Sequence, residues 1–232
     1  MIRIRPAAAR GATVTDWLDS RHTFSFNQYY DPEHMGFRSL RVINDDRVAP
    51  GAGFPRHGHR DMEILTWVLS CAIAHQDSTG ATSVLRPGEV QCMSAGRGIT
   101  HSEYNYSSAE PLHFLQIWIV PREKGIEPGY QQRPVLDQAG AGRLVLMVSP
   151  DGRDGSARIS QDAEVYVARL APGGAVSRRL GDGRHAWLHV ARGTLTLNGH
   201  TLAAGDGAAV SGESGLDIQA AADSEFLLFD LA

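Results

Sequence analysis

The chain lacks the features that mark several common classes of protein. Lys124 is its single lysine, and the arginines are scattered without the basic run that binds a nucleic-acid backbone. Acidic residues outnumber basic ones, 26 against 22, which gives a formal net charge of −4. The sequence therefore predicts no direct nucleic-acid partner.

Cysteine and long apolar runs are scarce as well. Cys71 and Cys92 are too few for a secreted disulfide framework, so we expect two free thiols in a reducing compartment. Residues 1–10 carry three arginines and no apolar run of signal-peptide length, and no stretch approaches the length of a membrane-spanning helix. These absences predict a soluble, cytoplasmic protein without membrane contact.

What the sequence does contain is a series of short β-like runs. The 232 residues are 42% hydrophobic, enough for one large β domain or two small ones. Runs rich in Val, Ile, Leu, Thr and aromatic residues, many bounded by Gly, Pro or Asp, occur at residues 40–43, 63–74, 83–85, 112–120, 144–148, 165–170, 187–190, 194–197 and 226–231. A helix of one or two turns is predicted only over residues 14–19. This pattern favours an all-β sandwich or barrel.

A segment rich in proline and glycine separates two halves. It spans residues 121–142 and is interpreted as a connection between a domain at residues 1–120 and another at residues 143–232. Turn motifs recur in both halves, Pro-Gly-Glu at residues 87–89 and Ala-Gly-Asp at residues 204–206. We therefore expect a duplicated barrel.

Two clusters place metal-capable side chains two residues apart: His57 with His59, and His101 with Glu103. Residues i and i+2 of a β-strand point to the same face. If the two strands are neighbours, three imidazoles and one carboxylate meet at one position. Such a donor set suits a divalent transition metal and leaves coordination positions for substrate or oxygen.

The surrounding glycines and motifs sharpen this hypothesis. Gly51 and Gly88 precede the two clusters at the spacing typical of the cupin superfamily, whose motifs lie on neighbouring strands of a small barrel. Longer stretches resemble the pirin family of two-barrel cupins: HTFSF (22–26), YYDPEHMGF (29–37), LRVINDDRV (40–48), HRDMEI (59–64), AGRGI (95–99), RHAW (184–187) and LLFD (227–230). The resemblance covers most of the first half and continues into the second.

The resemblance implies an all-β chain of two cupin barrels of the double-stranded β-helix, jelly-roll-like kind. It implies that His57, His59, His101 and Glu103 hold one divalent metal, with Fe(II) expected and Zn, Ni, Co, Mn or Cu as alternatives. Bacterial pirin-like proteins resemble quercetin 2,3-dioxygenases, which cleave a flavonol ring with O₂ and release carbon monoxide. Animal pirins resemble nuclear co-regulators that sense the redox state of iron.

Two functions of different class follow. The first is a dioxygenase that acts on a flavonol-like aromatic, with Glu103 as the general base that accepts the flavonol hydroxyl proton. The alternative is a non-enzymatic iron or redox sensor that regulates a protein partner, such as a transcription factor or a metabolic enzyme. A metal-dependent isomerase is less favoured, because the carboxylate pattern matches pirins more closely. A monomer is the default expectation.

Other residues near the motifs leave alternatives open. Glu63 is either a fifth ligand, as its place in the cupin motif suggests, or a supporting residue. Four further histidines are expected to be hydrogen-bonded structural residues: His22, His34, His75 and His113. Phe54, Met62 and Met93 either line an apolar pocket or pack in the core, and Cys92, if near the pocket, would widen it.

The second half has lost the motif. When the two halves are aligned at their glycines, the second half has Leu180, Asp182, Ala186 and Ile218 at the positions of His57, His59, Glu63 and His101. We therefore expect a C-terminal barrel that lacks metal ligands.

Overall fold

The chain folds as two compact units made of β-strands. The computed structural model describes residues 1–135 and 142–232. The N-terminal unit comprises Gly11–Pro134 and Ala157–Gln161, and the C-terminal unit comprises Met1–Arg10, Val135–Ser156 and Asp162–Ala232. No helix in the described ranges is long and apolar enough to cross a membrane. The cytoplasmic location stays a prediction.

Strands joined by turns and loops make up most of the described chain. In chain order they are β1 (Ile2–Arg5), β2 (Gly11–Val14), β3 (Leu18–His22), β4 (Leu40–Val48), β5 (Gly53–His59), β6 (Glu63–Ser70), β7 (Ile73–Asp77), β8 (Thr82–Leu85), β9 (Glu89–Ser94), β10 (Ile99–Asn105), β11 (Leu112–Ile119), β12 (Gly129–Pro134), β13 (Val145–Ser149), β14 (Ala157–Arg158), β15 (Ala163–Leu170), β16 (Ala175–Arg179), β17 (His185–Arg192), β18 (Thr194–Leu197), β19 (His200–Ala203), β20 (Gly207–Ser211), β21 (Gly215–Ala220) and β22 (Ser224–Leu231). Short 3-10 turns occur at Ala7–Ala9 and Arg153–Gly155.

Two antiparallel sheets build the N-terminal unit. The larger has the order β12-β9-β6-β11-β4-β3-β2, and the smaller has the order β5-β10-β7-β8. Val68 and Phe114 of the larger sheet pack in one buried cluster with Ile73 and Leu85 of the smaller. The inward faces of the two sheets therefore enclose a common interior, as in a β-sandwich or barrel.

The helix predicted over residues 14–19 is wrong, because this segment turns from β2 into β3. The Leu18 amide donates to the Thr15 hydroxyl at 3.1 Å, and the Thr15 amide donates to the Leu18 carbonyl at 2.8 Å. The threonine side chain thus closes a tight turn that competes with helix formation. The run predicted over residues 63–74 likewise divides into two strands, since Cys71 has a left-handed backbone with φ of 65°.

The boundaries differ from the sequence-based division in two places. Residues 1–10 belong to the C-terminal unit, because β1 pairs with β20 along its whole length. The segment predicted as a connection over residues 121–142 contains β12, which pairs with β9 and extends the larger sheet. The part of that segment at residues 136–141 lies outside the described residues.

The C-terminal unit has an apolar interior. Its sheets have the orders β1-β20-β17-β22-β15-β13 and β16-β21-β18-β19. Leu180, Ala186 and Ile218, which replace the motif residues of the first half, are all buried in one hydrophobic cluster. Aliphatic side chains therefore fill the interior of this unit at three of the four counted positions, while Asp182 is exposed.

This core predicts a stability effect without an effect on metal binding. Leu188 is fully buried on β17 between β20 and β22. We expect Leu188→Ala to lower the free energy of unfolding by about 2–5 kcal/mol, because a buried leucine leaves a cavity. Urea denaturation measures this change. The metal content per folded chain should not change, since the candidate donors lie in the other unit.

The matched control is Thr201→Ala, which removes an exposed side chain from β19. It should change the free energy of unfolding by less than about 0.5 kcal/mol. Equal effects of the two substitutions would contradict the assignment of Leu188 to the core.

Candidate metal centre

The two histidine clusters lie side by side on β5 and β10. These strands pair antiparallel, with His57 directly opposite His101. Glu103 lies opposite Phe54, so the single residue Ser102 of β10 faces two residues of β5, Pro55 and Arg56, and β5 bulges there. A bulge at an edge strand tolerates a proline, which has no N–H for the ladder. The bulge thus sets the direction of the His57 side chain.

Three imidazole nitrogens converge on one position. His101 Nε2 lies 3.0 Å from His57 Nε2 and 2.9 Å from His59 Nε2. His101 is fully buried, whereas His57 and His59 are partly exposed. The cluster therefore has a closed inner side and an accessible outer side.

Hydrogen bonds fix the tautomers of two of these rings. His57 Nδ1 donates to the Pro55 carbonyl at 2.8 Å, which leaves a lone pair on Nε2. Behind His101, His75 Nε2 donates to Asp77 Oδ2 at 3.0 Å, so His75 Nδ1 carries a lone pair. That nitrogen accepts from His101 Nδ1 at 3.5 Å. The His101 Nε2 lone pair consequently also points into the cluster.

Lone pairs that face one another are satisfied when a metal cation lies between them. Burial, and then the neighbouring imidazole of His57, lower the pKa of His59 to about 4 and that of His101 to about 2. His59 and His101 are therefore uncharged near neutral pH, which is the form of imidazole that binds a metal. Neutral imidazoles are borderline donors that bind iron, cobalt, nickel, copper or zinc. The residues present fit a divalent transition metal.

Glu103 crosses the interior from β10 to the larger sheet. Its Oε2 accepts from Gln116 Nε2 at 2.8 Å and its Oε1 accepts from Gln91 Nε2 at 3.3 Å. Burial raises the pKa of Glu103 to about 7, while hydrogen bonds from Gln91, Gln116 and Thr66 act in the opposite direction. Glu103 is thus a fixed carboxylate, poised to exchange a proton near neutral pH.

A buried polar row supports Glu103, and sequence reasoning missed it. Gln116 lies opposite Thr66 on β6 and opposite Asn44 on β4, while Thr66 lies opposite Gln91 on β9. Thr66 donates to Gln116 Oε1 at 3.0 Å. The available signal was a polar residue at an inward position of an apolar strand, as in the sequences of β6 and β11.

His75 forms a second group with His101 and Glu103, whose candidate donor atoms lie within 4.8 Å of one another. His75 Nε2 is bonded to Asp77 and its Nδ1 faces His101 Nδ1, so we assign it to support of the cluster. The other histidines expected to be structural are also hydrogen-bonded: His22 to Asn44, His34 to Asp31, and His113 to Asp45.

Glu63 points away from the cluster. It is one residue before Ile64 and three before Thr66, so it lies on the opposite face of β6. Its carboxylate accepts from Ser94 Oγ at 2.6 Å and from the Ser160 amide at 3.3 Å. The structure therefore does not bring Glu63 to the candidate metal position.

A pocket of about 500 Å³, its open mouth included, lies beside the cluster. It is lined by Thr13, Leu18, Ser20, His22, Phe26, Asn27, Asn44, Asp46, Phe54, His57, His59, Glu103, Gln116 and Trp118. Phe54 lines it, whereas Met62 and Met93 pack around Ile64. Cys92 does not widen it, because its thiol points to the other face of β9 toward the Arg158 carbonyl.

Comparison with known proteins covers both halves of the chain. The pirin family model matches residues 3–119, and the model of the quercetinase C-terminal cupin domain matches residues 146–231. Quercetin 2,3-dioxygenase of Escherichia coli K12 is 50% identical over 231 residues, which cover 100% of this chain and 99% of that protein.

Two crystal structures from Escherichia coli are similar over the whole chain. YhhW has a TM-score of 0.96 and 49% identity, with 100% of this chain and 98% of that one covered. The bacterial pirin YhhW in complex with nickel(II) has a TM-score of 0.94 and 48% identity, with 100% and 99% covered. The predicted all-β fold with two cupin barrels is confirmed, and the chain belongs to the pirin family.

Proposed function

We propose that this chain is a metal-dependent dioxygenase of the quercetin 2,3-dioxygenase type. Its four protein ligands would be His57, His59, His101 and Glu103. The observation that carries the proposal is the convergence of three imidazole nitrogens, two with fixed lone pairs, at the wall of an aromatic-lined pocket. The proposal is supported by relatives that match the whole chain and are named quercetin 2,3-dioxygenase.

The bound metal would supply Lewis-acid stabilisation of the flavonolate anion. We propose one divalent ion per chain, with Fe(II) as the native ion, while a His/Glu donor set also accepts nickel, cobalt, zinc, manganese or copper. Supporting evidence for metal binding comes from the nickel(II) complex of the similar pirin.

Glu103 is assigned to proton transfer. Its carboxylate lines the pocket and is held by amide donors from Gln91 and Gln116. A carboxylate oxygen in this position accepts the proton of the flavonol hydroxyl as the anion forms. The fixed amide donors keep the carboxylate aimed at the pocket through this transfer.

The apolar part of the pocket suits a planar aromatic molecule. Phe26, Phe54 and Trp118 line it, and the Trp118 ring meets both Phe26 and His59 edge to face. Aromatic walls of this kind bury flat rings and exclude water. The substrate would be a flavonol or a similar enol-bearing aromatic, with O₂ as co-substrate.

The test is metal analysis of anaerobically purified protein, followed by quercetin turnover with the same sample. We expect about one transition metal per chain, with oxygen uptake and carbon monoxide release on addition of quercetin. Bound metal without turnover would overturn the enzymatic proposal in favour of a non-enzymatic redox sensor with a protein partner. The monomeric state stays a prediction.

The hydrogen-bonded chain behind His101 predicts an effect on metal affinity. In Asp77→Asn an amide can donate to His75 Nε2, which moves the His75 proton to Nδ1. Nδ1 then faces His101 Nδ1 as a donor and withdraws the His101 Nε2 lone pair from the cluster. We expect metal affinity to fall about 10–100-fold, as competition with a chromophoric chelator measures.

The control is Asp31→Asn. Asp31 accepts from His34 Nδ1 at 2.7 Å, so this pair repeats the His–Asp contact away from the cluster. Its substitution should leave metal affinity unchanged. If both variants bind metal as tightly as the parent, the assignment of tautomers is wrong.

A further inference from the structure

Asp46 is a buried carboxylate in the pocket wall that the proposed metal chemistry does not use. It is 4% exposed on β4 and lies opposite Ser20 of β3. A hydrogen bond from Ser20 reaches the carboxylate, whereas Oδ1 has no hydrogen-bond partner among the described residues. A buried acceptor without a partner costs free energy and calls for an explanation.

The polar neighbours of Asp46 are already paired with one another. His22 Nε2 lies 2.8 Å from Thr13 Oγ1, and His22 Nδ1 lies 2.8 Å from Asn44 Oδ1. Asn44 is two residues before Asp46, so both side chains are on the same face of β4. This wall of the pocket is therefore preorganised, with one acceptor left open.

No basic side chain of the described residues neutralises Asp46. Within residues 1–135 and 142–232, none of the ion pairs joins it to an arginine or lysine. Burial raises its pKa to about 7, and the charges of Asp45, Glu103 and Asp19 act in the same direction. A neutral hydrogen-bond donor, such as a hydroxyl, is a suitable partner for such a group.

Asp46 and the candidate metal donors face the same pocket from different sheets. Asp46 belongs to β4 of the larger sheet, whereas the histidine cluster belongs to β5 and β10 of the smaller. Trp118 lines the same pocket, and its indole Nε1 is a second buried polar atom that finds no partner in the part of the chain that the structure describes. A ligand that fills the pocket can therefore meet the metal and these open groups together.

We infer that Asp46 is a substrate-binding residue whose Oδ1 accepts a hydrogen bond from a phenolic hydroxyl other than the one at the metal. This inference rests on the proposed function and narrows the substrate to flavonols that carry additional ring hydroxyls. Asp46 then selects among flavonols by a contact remote from the reacting group.

The experiment compares two ligands in the absence of oxygen. Metal-loaded protein is titrated with quercetin, which carries extra phenolic hydroxyls, and with 3-hydroxyflavone, which has none, and the absorbance of the ligand reports binding. We expect Asp46→Leu to weaken quercetin binding about tenfold or more, while 3-hydroxyflavone changes less than about twofold. Asp46→Asn keeps the shape of the side chain and one acceptor oxygen, so we expect it to weaken quercetin binding only about threefold.

The matched control is Asp45→Asn on the opposite face of β4, where the carboxylate accepts from His113. It should preserve the quercetin to 3-hydroxyflavone ratio, and metal content confirms that each variant is folded. An unchanged ratio in both Asp46 variants, with quercetin turnover intact in the parent, overturns this inference alone. Equal weakening of both ligands assigns Asp46 a purely structural role. If the parent binds neither flavonol, the proposed function fails and the inference falls with it.

Discussion

His101→Ala is expected to abolish metal retention and quercetin turnover together. His101 Nε2 is 3.0 Å from His57 Nε2 and 2.9 Å from His59 Nε2, so its removal leaves two partly exposed imidazoles without the buried donor that joins them. Loss of a direct ligand should exceed the roughly 10–100-fold drop in affinity that follows loss of an outer partner. Metal analysis after dialysis and carbon monoxide release measure the two effects.

His113→Ala provides the comparison. His113 is a partly buried histidine of the larger sheet, held by Asp45 Oδ1 at 2.7 Å, and it does not line the pocket. This variant should keep its metal and its turnover. Full metal content in His101→Ala, with a normal circular dichroism spectrum, would contradict the proposed ligand set.

Glu103→Gln should separate metal binding from proton transfer. Glutamine keeps a side-chain oxygen beside the three imidazoles, so we expect metal affinity to fall without loss of the site, and turnover is measured on protein reloaded with metal. An amide cannot accept the flavonol proton, and it offers one oxygen where Gln91 and Gln116 both donate. We therefore expect kcat to fall about 10²–10⁴-fold, the range typical of a lost general base. Steady-state turnover of quercetin, normalised to bound metal, measures this change.

Glu63→Gln is the control for that experiment. Glu63 is another buried carboxylate, but it faces Ser94 and Ser160 on the other side of β6. Its substitution should leave kcat within a few-fold of the parent value. Glu103 would have no catalytic role if Glu103→Gln or Glu103→Ala turned over quercetin at the parent rate per bound metal.

The sequence predicted the histidine clusters because their spacing is local. Residues two apart share a strand face, and that rule needs no knowledge of the partner strand. The residues that hydrogen-bond to Glu103 could not be predicted, because their contacts are not local in sequence. Thr66, Gln91 and Gln116 come from three different strands and meet only through the register of the larger sheet. One polar residue in each apolar strand looks unremarkable until the strands are aligned.

Backbone conformation and long-range strand pairing account for the other differences between the predicted and the observed elements. The segment at residues 14–19 has apolar residues at helical spacing, but the Thr15 hydroxyl caps a turn between two strands. Cys71 adopts a left-handed backbone, which ends β6 where the apolar run continues. The pairing of β1 with β20 joins residues about 200 apart in sequence, a contact that no local pattern encodes.

The placement of the sulfur-containing side chains of β9 also protects the protein from its own chemistry. Gln91 points to the interior and Cys92 to the other face, while Met93 packs against Ile64. Among the described residues that line the pocket, none contains sulfur. Thiols and thioethers are the side chains that oxidants damage first. An enzyme that admits O₂ to this pocket thus keeps its oxidisable sulfur behind a wall of amide, imidazole and aromatic groups, which favours many turnovers before inactivation.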